Sequence, residues 1–398
     1  MGVARRVPLA ATAVAAGLVL IAVACWFNGR GLGVDSSVYR AGALTLLHGD
    51  SLYAPLTTGE WWAPSLPFTY PPIAGLLFLP LTMVPSQLGW GVLAALSALA
   101  LGFVLHESLP QRARTGWRFG ALLLATLALE PVWRTLGLGQ VNLLLVAMVM
   151  ADVLLLRGRK GSGVLIGIAA AVKLTPLIFI AHLALTRRWA DAARAMATFV
   201  VLNLAAAVVL PLDTLWFWTK ALIDGNDATT NSWIGNQSLN GIFQRLTGED
   251  RGALFLYATT AVIAVGLAAV VVRRLYRQGD DLGALLVTAV TGLLVSPVSW
   301  THHWVWVVPL VGYLIAKSNV TGLLAIGIVF TGWQFRMVPS GAKSELSWNA
   351  ADVLLGNSYL LAALVAAPIV ILLAGVDPAL RGRSVRAEVV PGESRGVG

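Results

Sequence analysis

Asp35 stands just beyond the first apolar stretch, in the run Gly33-Val34-Asp35-Ser36-Ser37-Val38-Tyr39-Arg40. A carboxylate at the mouth of an apolar bundle is costly unless it is paired or has a function. It reads either as a solvated loop aspartate or as a general base that takes a hydroxyl proton. Further polar groups punctuate apolar segments downstream: Phe68-Thr69-Tyr70-Pro71-Pro72, Glu130 with Arg134, Gly139-Gln140-Val141-Asn142, Val172-Lys173-Leu174-Thr175-Pro176, Asn236-Gln237-Ser238-Leu239-Asn240-Gly241 with Arg245, and Ser296-Pro297-Val298-Ser299-Trp300-Thr301-His302-His303. Lys173, His302 and His303 are candidates to bind an anion, with Arg134 and Arg245 behind them. Each group also has a structural reading. Gln140 and Asn142 are equally suited to interhelical hydrogen bonding, Lys173 to snorkelling, the histidines to an interfacial pair, and Pro71-Pro72 to starting a helix. No metal or other cofactor is expected, because no cysteine or nearby carboxylate completes a zinc set around the histidines and no Asp-x-Asp sequence occurs.

The elements that must position these residues are membrane helices. Hydrophobic residues make up 57% of the 398-residue chain and charged ones 12%, and the mean hydropathy is +0.77. That composition excludes a soluble globular enzyme. The apolar runs are solid rather than alternating, which excludes a membrane β-barrel. The net charge of +9 lies between apolar segments, so it reads as topology determinants and anionic-lipid contacts rather than as a nucleic-acid surface. The single cysteine, Cys25, has no internal disulfide partner. Although Ala22-Val23-Ala24-Cys25 has the look of a lipoprotein cleavage site, Ala22 is a poor residue there, and a first membrane helix is the better reading.

Basic clusters at Arg5/Arg6, Arg112/Arg114/Arg118, Arg157/Arg159/Lys160, Arg187/Arg188/Arg194, Arg273/Arg274/Arg277, Lys317 and Arg381/Arg383/Arg386/Arg395 all fall on the cytoplasmic side under the positive-inside rule. This gives an all-α polytopic protein of about twelve spans in one domain, 1–376: 7–27, 87–106, 119–136, 140–156, 163–172, 174–186, 196–212, 253–273, 282–296, 302–316, 319–336 and 353–375. Residues 72–84 are expected to be re-entrant or interfacial. Segment 163–186 must break at Lys173-Leu174-Thr175-Pro176, since both its ends carry cytoplasmic-type charge. Outer loops at 28–86, 213–252 and 337–352 then collect the unusual polar residues, and 377–398 is a disordered basic cytoplasmic tail. Trp61, Trp62, Trp216, Trp218, Trp233, Trp300, Trp304 and Trp306 read as an interfacial belt.

Taken in order, Asp35 with Tyr39, Gly49-Asp50-Ser51-Leu52-Tyr53, Phe68-Thr69-Tyr70-Pro71-Pro72, Gly139-Gln140-Val141-Asn142, Val172-Lys173-Leu174-Thr175-Pro176, Asn236-Gln237-Ser238 and Ser296-Pro297-Val298-Ser299-Trp300-Thr301-His302-His303-Trp304 resemble the GT-C superfamily, and more closely glycosyltransferase family 87. The resemblance covers about 30–310. It implies a GT-C fold and a plasma-membrane enzyme with its active site on the extracytoplasmic face. It implies transfer of mannose from polyprenyl-phosphate-mannose to a mannosylated lipid, a phosphatidylinositol mannoside or lipomannan, through an α-1,2 linkage with inversion. Asp35 would be the catalytic base and the histidine motif would lie near the donor phosphate. Lys173, His302, His303, Arg134, Gln140 and Asn142 are then candidates for donor contacts, and Tyr39, Arg40, Tyr70, Asn236, Gln237 and Arg245 for acceptor or loop contacts. An arabinofuranosyltransferase using polyprenyl-phosphate-arabinose belongs to the same resemblance. A transporter or lipid flippase would explain the bundle and the intramembrane lysine, but it predicts midplane polar groups and matched halves, which the sequence lacks.

Overall fold

The computed structural model describes residues 9–56, 59–222, 231–248 and 251–375. The expected tail 377–398 and the Arg5/Arg6 cluster lie outside the described residues. Among the described residues eighteen α-helices follow one another: α1 Leu9–Phe27, α2 Val34–Leu47, α3 Pro72–Leu77, α4 Ser86–Ser108, α5 Gly116–Leu127, α6 Glu130–Leu138, α7 Asn142–Met150, α8 Val164–Val172, α9 Ile178–Leu185, α10 Trp189–Val209, α11 Pro211–Trp216, α12 Leu239–Thr247, α13 Arg251–Arg277, α14 Asp281–Val295, α15 Val307–Ala316, α16 Val320–Val329, α17 Ala350–Gly356 and α18 Ser358–Gly375. Five of them, α1, α4, α10, α13 and α18, are long and apolar enough to cross a membrane. The chain is therefore an all-helical, multi-pass membrane protein.

Small residues let the first two long helices approach closely. A Cβ at Gly91 or Gly102 of α4 would run into Ala22 or Ala11 of α1, the close contact by which membrane helices gain van der Waals energy. Helix α4 is largely buried and central, whereas α1, α13 and α18 keep most of their surface outward, as suits helices facing lipid. The main apolar core joins Leu101 and Leu105 of α4 to Leu143 and Met150 of α7, Leu285 of α14 and Val308 of α15.

Several apolar segments are not straight rods. Residues 119–136, expected as one crossing, belong to a pair, α5 and α6, bent by 75°. Helix α6 restarts with Pro131 in its first turn and ends at Gly139 in the left-handed conformation. The expected break in 163–186 is present: α8 ends at Lys173, which is extended, and a 3₁₀ turn Thr175–Leu177 precedes α9. The segment after Pro71 forms the short α3 and a 3₁₀ turn Leu79–Met83, too short to span. Of the tryptophans assigned to an interfacial belt, Trp304 and Trp306 instead sit in the protein core. They lie on the 3₁₀ segment Thr301–Trp306, which turns inward and packs between helices.

Polar contacts divide the bundle into two ends. At one, Arg157 pairs with Asp281 at 2.9 Å and Lys317 with Asp280 at 3.0 Å, while Arg188 pairs with Asp191 and donates to the Val153 carbonyl. At the other, the polar motifs described next meet.

Candidate active site

Helix α2 carries Asp35 in its first turn, behind Gly33 at φ 74°. A Cβ at Gly33 or at Gly139 would collide with both Ser36 and Trp90. Trp90 in turn donates its indole N–H to the Leu136 carbonyl at 2.9 Å. Two left-handed glycines thus clamp α2 onto the α6–α7 turn through one tryptophan. The result is local: Gln140, just after Gly139, reaches the aspartate, and its Nε2 donates to Asp35 Oδ2 at 2.6 Å.

Gln140 Oε1 accepts from the Tyr39 hydroxyl at 2.8 Å and lies 3.3 Å from that of Tyr70. The two hydroxyls are 2.9 Å apart. Both rings are buried in an apolar cluster with Phe68 and Phe78. Desolvation pushes the Asp35 carboxyl above its usual range, while the Gln140 hydrogen bond and the positive charges of Lys173 and Arg134 pull the other way.

Lys173 arrives from the break between α8 and α9. Its Nζ donates to Asn142 Oδ1 at 2.9 Å and lies 3.0 Å from His303 Nε2, and it sits 5.6 Å from the centre of the Tyr70 ring. An ammonium only donates, so His303 Nε2 accepts and the ring proton belongs on Nδ1. Asn142 completes the bracket by donating Nδ2 to the His302 carbonyl at 3.0 Å, which Thr135 also contacts at 3.0 Å. The two imidazoles meet edge to face, 4.8 Å apart. Among the described residues, neither ring nitrogen of His302 nor Nδ1 of His303 has a hydrogen-bond partner. Buried polar atoms are ordinarily hydrogen-bonded, so these three nitrogens stand out.

Arg134 projects from α6, partly exposed, 3.5 Å from Glu130 and over the Trp233 ring at 5.9 Å. Glu130 is a buried hub. It accepts from Thr301 at 2.7 Å and from Tyr359 at 3.1 Å, and so ties α6 to the histidine segment and to α18. Tyr359, Thr135 and Trp90 carried no sequence signal, because each is embedded in apolar surroundings that read as ordinary span residues. Only their non-local hydrogen bonds reveal them.

The structure thus brings together Asp35, Tyr39, Tyr70, Arg134, Gln140, Asn142, Lys173, His302 and His303. It places the remaining candidates elsewhere. Arg40 donates to the Val84 carbonyl and pairs with Glu60 at 3.3 Å, fastening the first loop. Asn236 is fully buried, holding the Asn231 and Pro297 carbonyls and accepting from the Ser299 amide. Gln237 bonds the Ile234 and Gly356 carbonyls. Arg245 donates to the carbonyls of Ser232, Trp233 and Asn236 and to Asn357. These three knit the second loop to the histidine motif and to the start of α18. Tyr53, from the motif near Gly49, stacks on Trp216 and donates to the Tyr70 carbonyl, and so links the first loop to α11.

The site thus combines a buried carboxylate near a lysine and an arginine with two histidines beside that lysine, groups that can accept a proton and hold an anion. The sequence signature of Glycosyltransferase family 87 matches residues 68–297. The chain is 35% identical over 318 residues, 75% of its length and 72% of the relative's, to the polyprenol-phosphate-mannose-dependent alpha-(1-2)-phosphatidylinositol pentamannoside mannosyltransferase of Mycobacterium tuberculosis strain CDC 1551 / Oshkosh. It is 32% identical over 384 residues, 86% of its length and 85% of the relative's, to the polyprenol-phosphate-mannose-dependent alpha-(1-2)-phosphatidylinositol mannoside mannosyltransferase of Mycolicibacterium smegmatis. A relative of that same description from M. tuberculosis strain H37Rv is 31% identical over 380 residues, 87% of this chain and 86% of its own. No solved structure matches the chain. The chain belongs to glycosyltransferase family 87, and it is a membrane glycosyltransferase.

Proposed function

We propose that the protein transfers mannose from polyprenyl-phosphate-mannose to a phosphatidylinositol mannoside, forming an α-1,2 linkage, with Asp35 as general base. The observation that carries this reading is Asp35 within electrostatic reach of Lys173 and Arg134, with His303 3.0 Å from Lys173 and the His302 ring beside it. The acceptor hydroxyl loses its proton to Asp35 as its oxygen bonds to carbon 1 of the sugar. The bond from carbon 1 to the phosphate oxygen breaks in line, and its electrons leave with the phosphate. Lys173, Arg134 and the imidazoles stabilise that growing charge. A β-linked mannosyl phosphate inverted in this way gives the α-linkage. The names of the relatives supply the donor and acceptor classes.

The proposed setting is a single GT-C domain of about twelve crossings, its site on the extracytoplasmic face of the plasma membrane. The basic groups Arg157, Arg188 and Lys317 gather at one end of the bundle, away from Asp35, which fits positive-inside insertion. The test is mannose transfer from synthetic polyprenyl-phosphate-mannose to a mannosylated phosphatidylinositol by wild type and Asp35→Asn. A loss of about a hundredfold or more in a folded variant is expected, since general bases typically contribute 10²–10⁴. Equal rates would remove Asp35 from the mechanism. Turnover only with an arabinosyl donor would move the enzyme to the arabinofuranose branch.

A further inference from the structure

We infer that Gln140, with Tyr39 and Tyr70 behind it, is not a donor contact but the positioning residue of Asp35. The inference rests on the reading of Asp35 as general base. A tyrosine hydroxyl has one proton to give, and an amide oxygen has none. Gln140 Nε2 donates to Asp35 Oδ2, while its Oε1 accepts from Tyr39 at 2.8 Å or from Tyr70 at 3.3 Å, the other hydroxyl lying 2.9 Å behind. Because an ionised carboxylate only accepts, the amide must turn Nε2 toward Asp35, which leaves Oε1 for the tyrosine hydroxyls, groups that can donate to it. That leaves Oδ1 of Asp35 for the incoming hydroxyl.

The glutamine backbone is fixed as well. Its N–H donates to the Thr135 carbonyl at 3.0 Å, and its carbonyl lies 3.3 Å from the Ser97 hydroxyl. The rings of Tyr39 and Tyr70 pack in one apolar cluster with Phe68, Phe78 and Leu81. A chain of aligned donors in so apolar a setting is stronger than its separate bonds. The charged groups facing Asp35 are Lys173, at the α8–α9 break, and Arg134 on α6. On its own helix, Arg40 is turned away toward Glu60. Gln140 is thus a neutral donor touching the carboxylate, able to hold it in place without quenching its basicity as an ion pair would.

The decisive experiment measures kcat/KM against pH, together with binding of polyprenyl phosphate, for wild type, Gln140→Leu, Tyr39→Phe and Asp35→Asn in detergent. Gln140→Leu removes the donor, so the carboxylate is less stabilised in its charged form and its acidic limb should move to higher pH, by roughly one unit. The expected companion is a fall in kcat of about tenfold or more, with polyprenyl phosphate binding unchanged. Tyr39→Phe keeps the ring stacked on Phe78 and should move the limb the same way by less, which preserves the test if Gln140→Leu does not fold. An unmoved acidic limb with weakened polyprenyl phosphate binding would make Gln140 a donor ligand and overturn the inference. An unmoved limb with intact binding would overturn it equally. Failure of the underlying reading looks different: Asp35→Asn would then turn over as fast as wild type.

Discussion

Lys173 sits in an environment that its type usually avoids. A long cationic side chain normally snorkels to water, yet this one is held inside by Asn142 and His303. It sits where α8 stops being a helix, and non-helical backbone within a membrane protein is stable only when buried in protein or lining a cavity. Under the proposed mechanism a fixed ammonium at such a point would do what a bound divalent cation does elsewhere, placing positive charge on the leaving phosphate without reorganisation at the moment of transfer. Transfer should therefore persist in excess chelator and fall by about a hundredfold or more in Lys173→Gln, with the effect concentrated on reactions of the phosphate-bearing donor. Lys173→Arg should rescue poorly, since the broader planar guanidinium does not fit a socket shaped for an ammonium. Both are read from initial rates of mannose transfer. Chelator-sensitive activity restored by Mg²⁺ or Mn²⁺, or full activity in Lys173→Gln, would contradict the assignment. Asp35 adds a pH dependence with a definite sign. A base must be deprotonated to act, and burial raises this carboxyl. Activity should therefore fall on acidification at a pH above the ordinary aspartate value of about 3.9.

At the scale of elements, the site depends on a turn more than on any long helix. Gly139 takes φ 70° at the end of α6, and a Cβ there would strike Ser36 and Trp90. Gly139→Ala should cost about 1–3 kcal/mol from the left-handed backbone and the clash, and should displace Gln140 and Asn142 together. The natural control is Gly137→Ala, where a Cβ would meet nothing within 4 Å. Thermal unfolding in detergent and transfer rate, measured side by side, should show Gly139→Ala impaired in both and Gly137→Ala in neither. Equal behaviour of the two would mean that the turn does not hold the site. This turn also marks what is legible in the sequence. Polar motifs interrupting apolar runs locate Asp35, Gln140, Asn142, Lys173 and the histidines, because polar groups in a membrane protein need a reason. The break at Lys173-Leu174-Thr175-Pro176 follows from proline chemistry and from charge at both ends of the segment. The pairing is not legible. Gln140 meets an aspartate 105 positions away, and Glu130 meets a tyrosine 229 positions away, distances over which local periodicity carries no information. For the same reason the sequence leaves Asn236, Gln237 and Arg245 open as acceptor or loop contacts, and only the structure shows the loop carbonyls that they bond. The bend between α5 and α6 escapes a hydropathy window as well, because both arms of the corner are apolar.

For the whole molecule, the separation of its two ends is the feature that gives the chemistry a direction. Three loop segments converge at the site end. The first loop is tied to α11 by Ser51 and Asp213 at 2.5 Å. The second and third are joined by Glu345, which accepts from the Ile234 amide at 3.3 Å, and by Arg245 over the Trp348 ring at 5.6 Å. The opposite end carries Arg157, Arg188, Arg194 and Lys317 in ion pairs. Membrane insertion retains such basic clusters in the cytoplasm, so the loops and Asp35 should face outward. A lipid-borne donor and a lipid-borne acceptor would then meet beside the outer leaflet, with no nucleotide required on that side. The orientation can be read directly with single cysteines in a Cys25→Ser background. Trp61→Cys lies on the exposed first loop and Lys160→Cys on the exposed turn after α7. An impermeant maleimide should label the first in intact cells and the second only after permeabilisation. The reverse pattern would put Asp35 in the cytoplasm, where nucleotide sugars are at hand and a polyprenyl-linked donor would lose its rationale. Labelling of both positions from one side would mean an odd number of crossings fewer or more between them, and would send the count of spans between α1 and α8 back for revision.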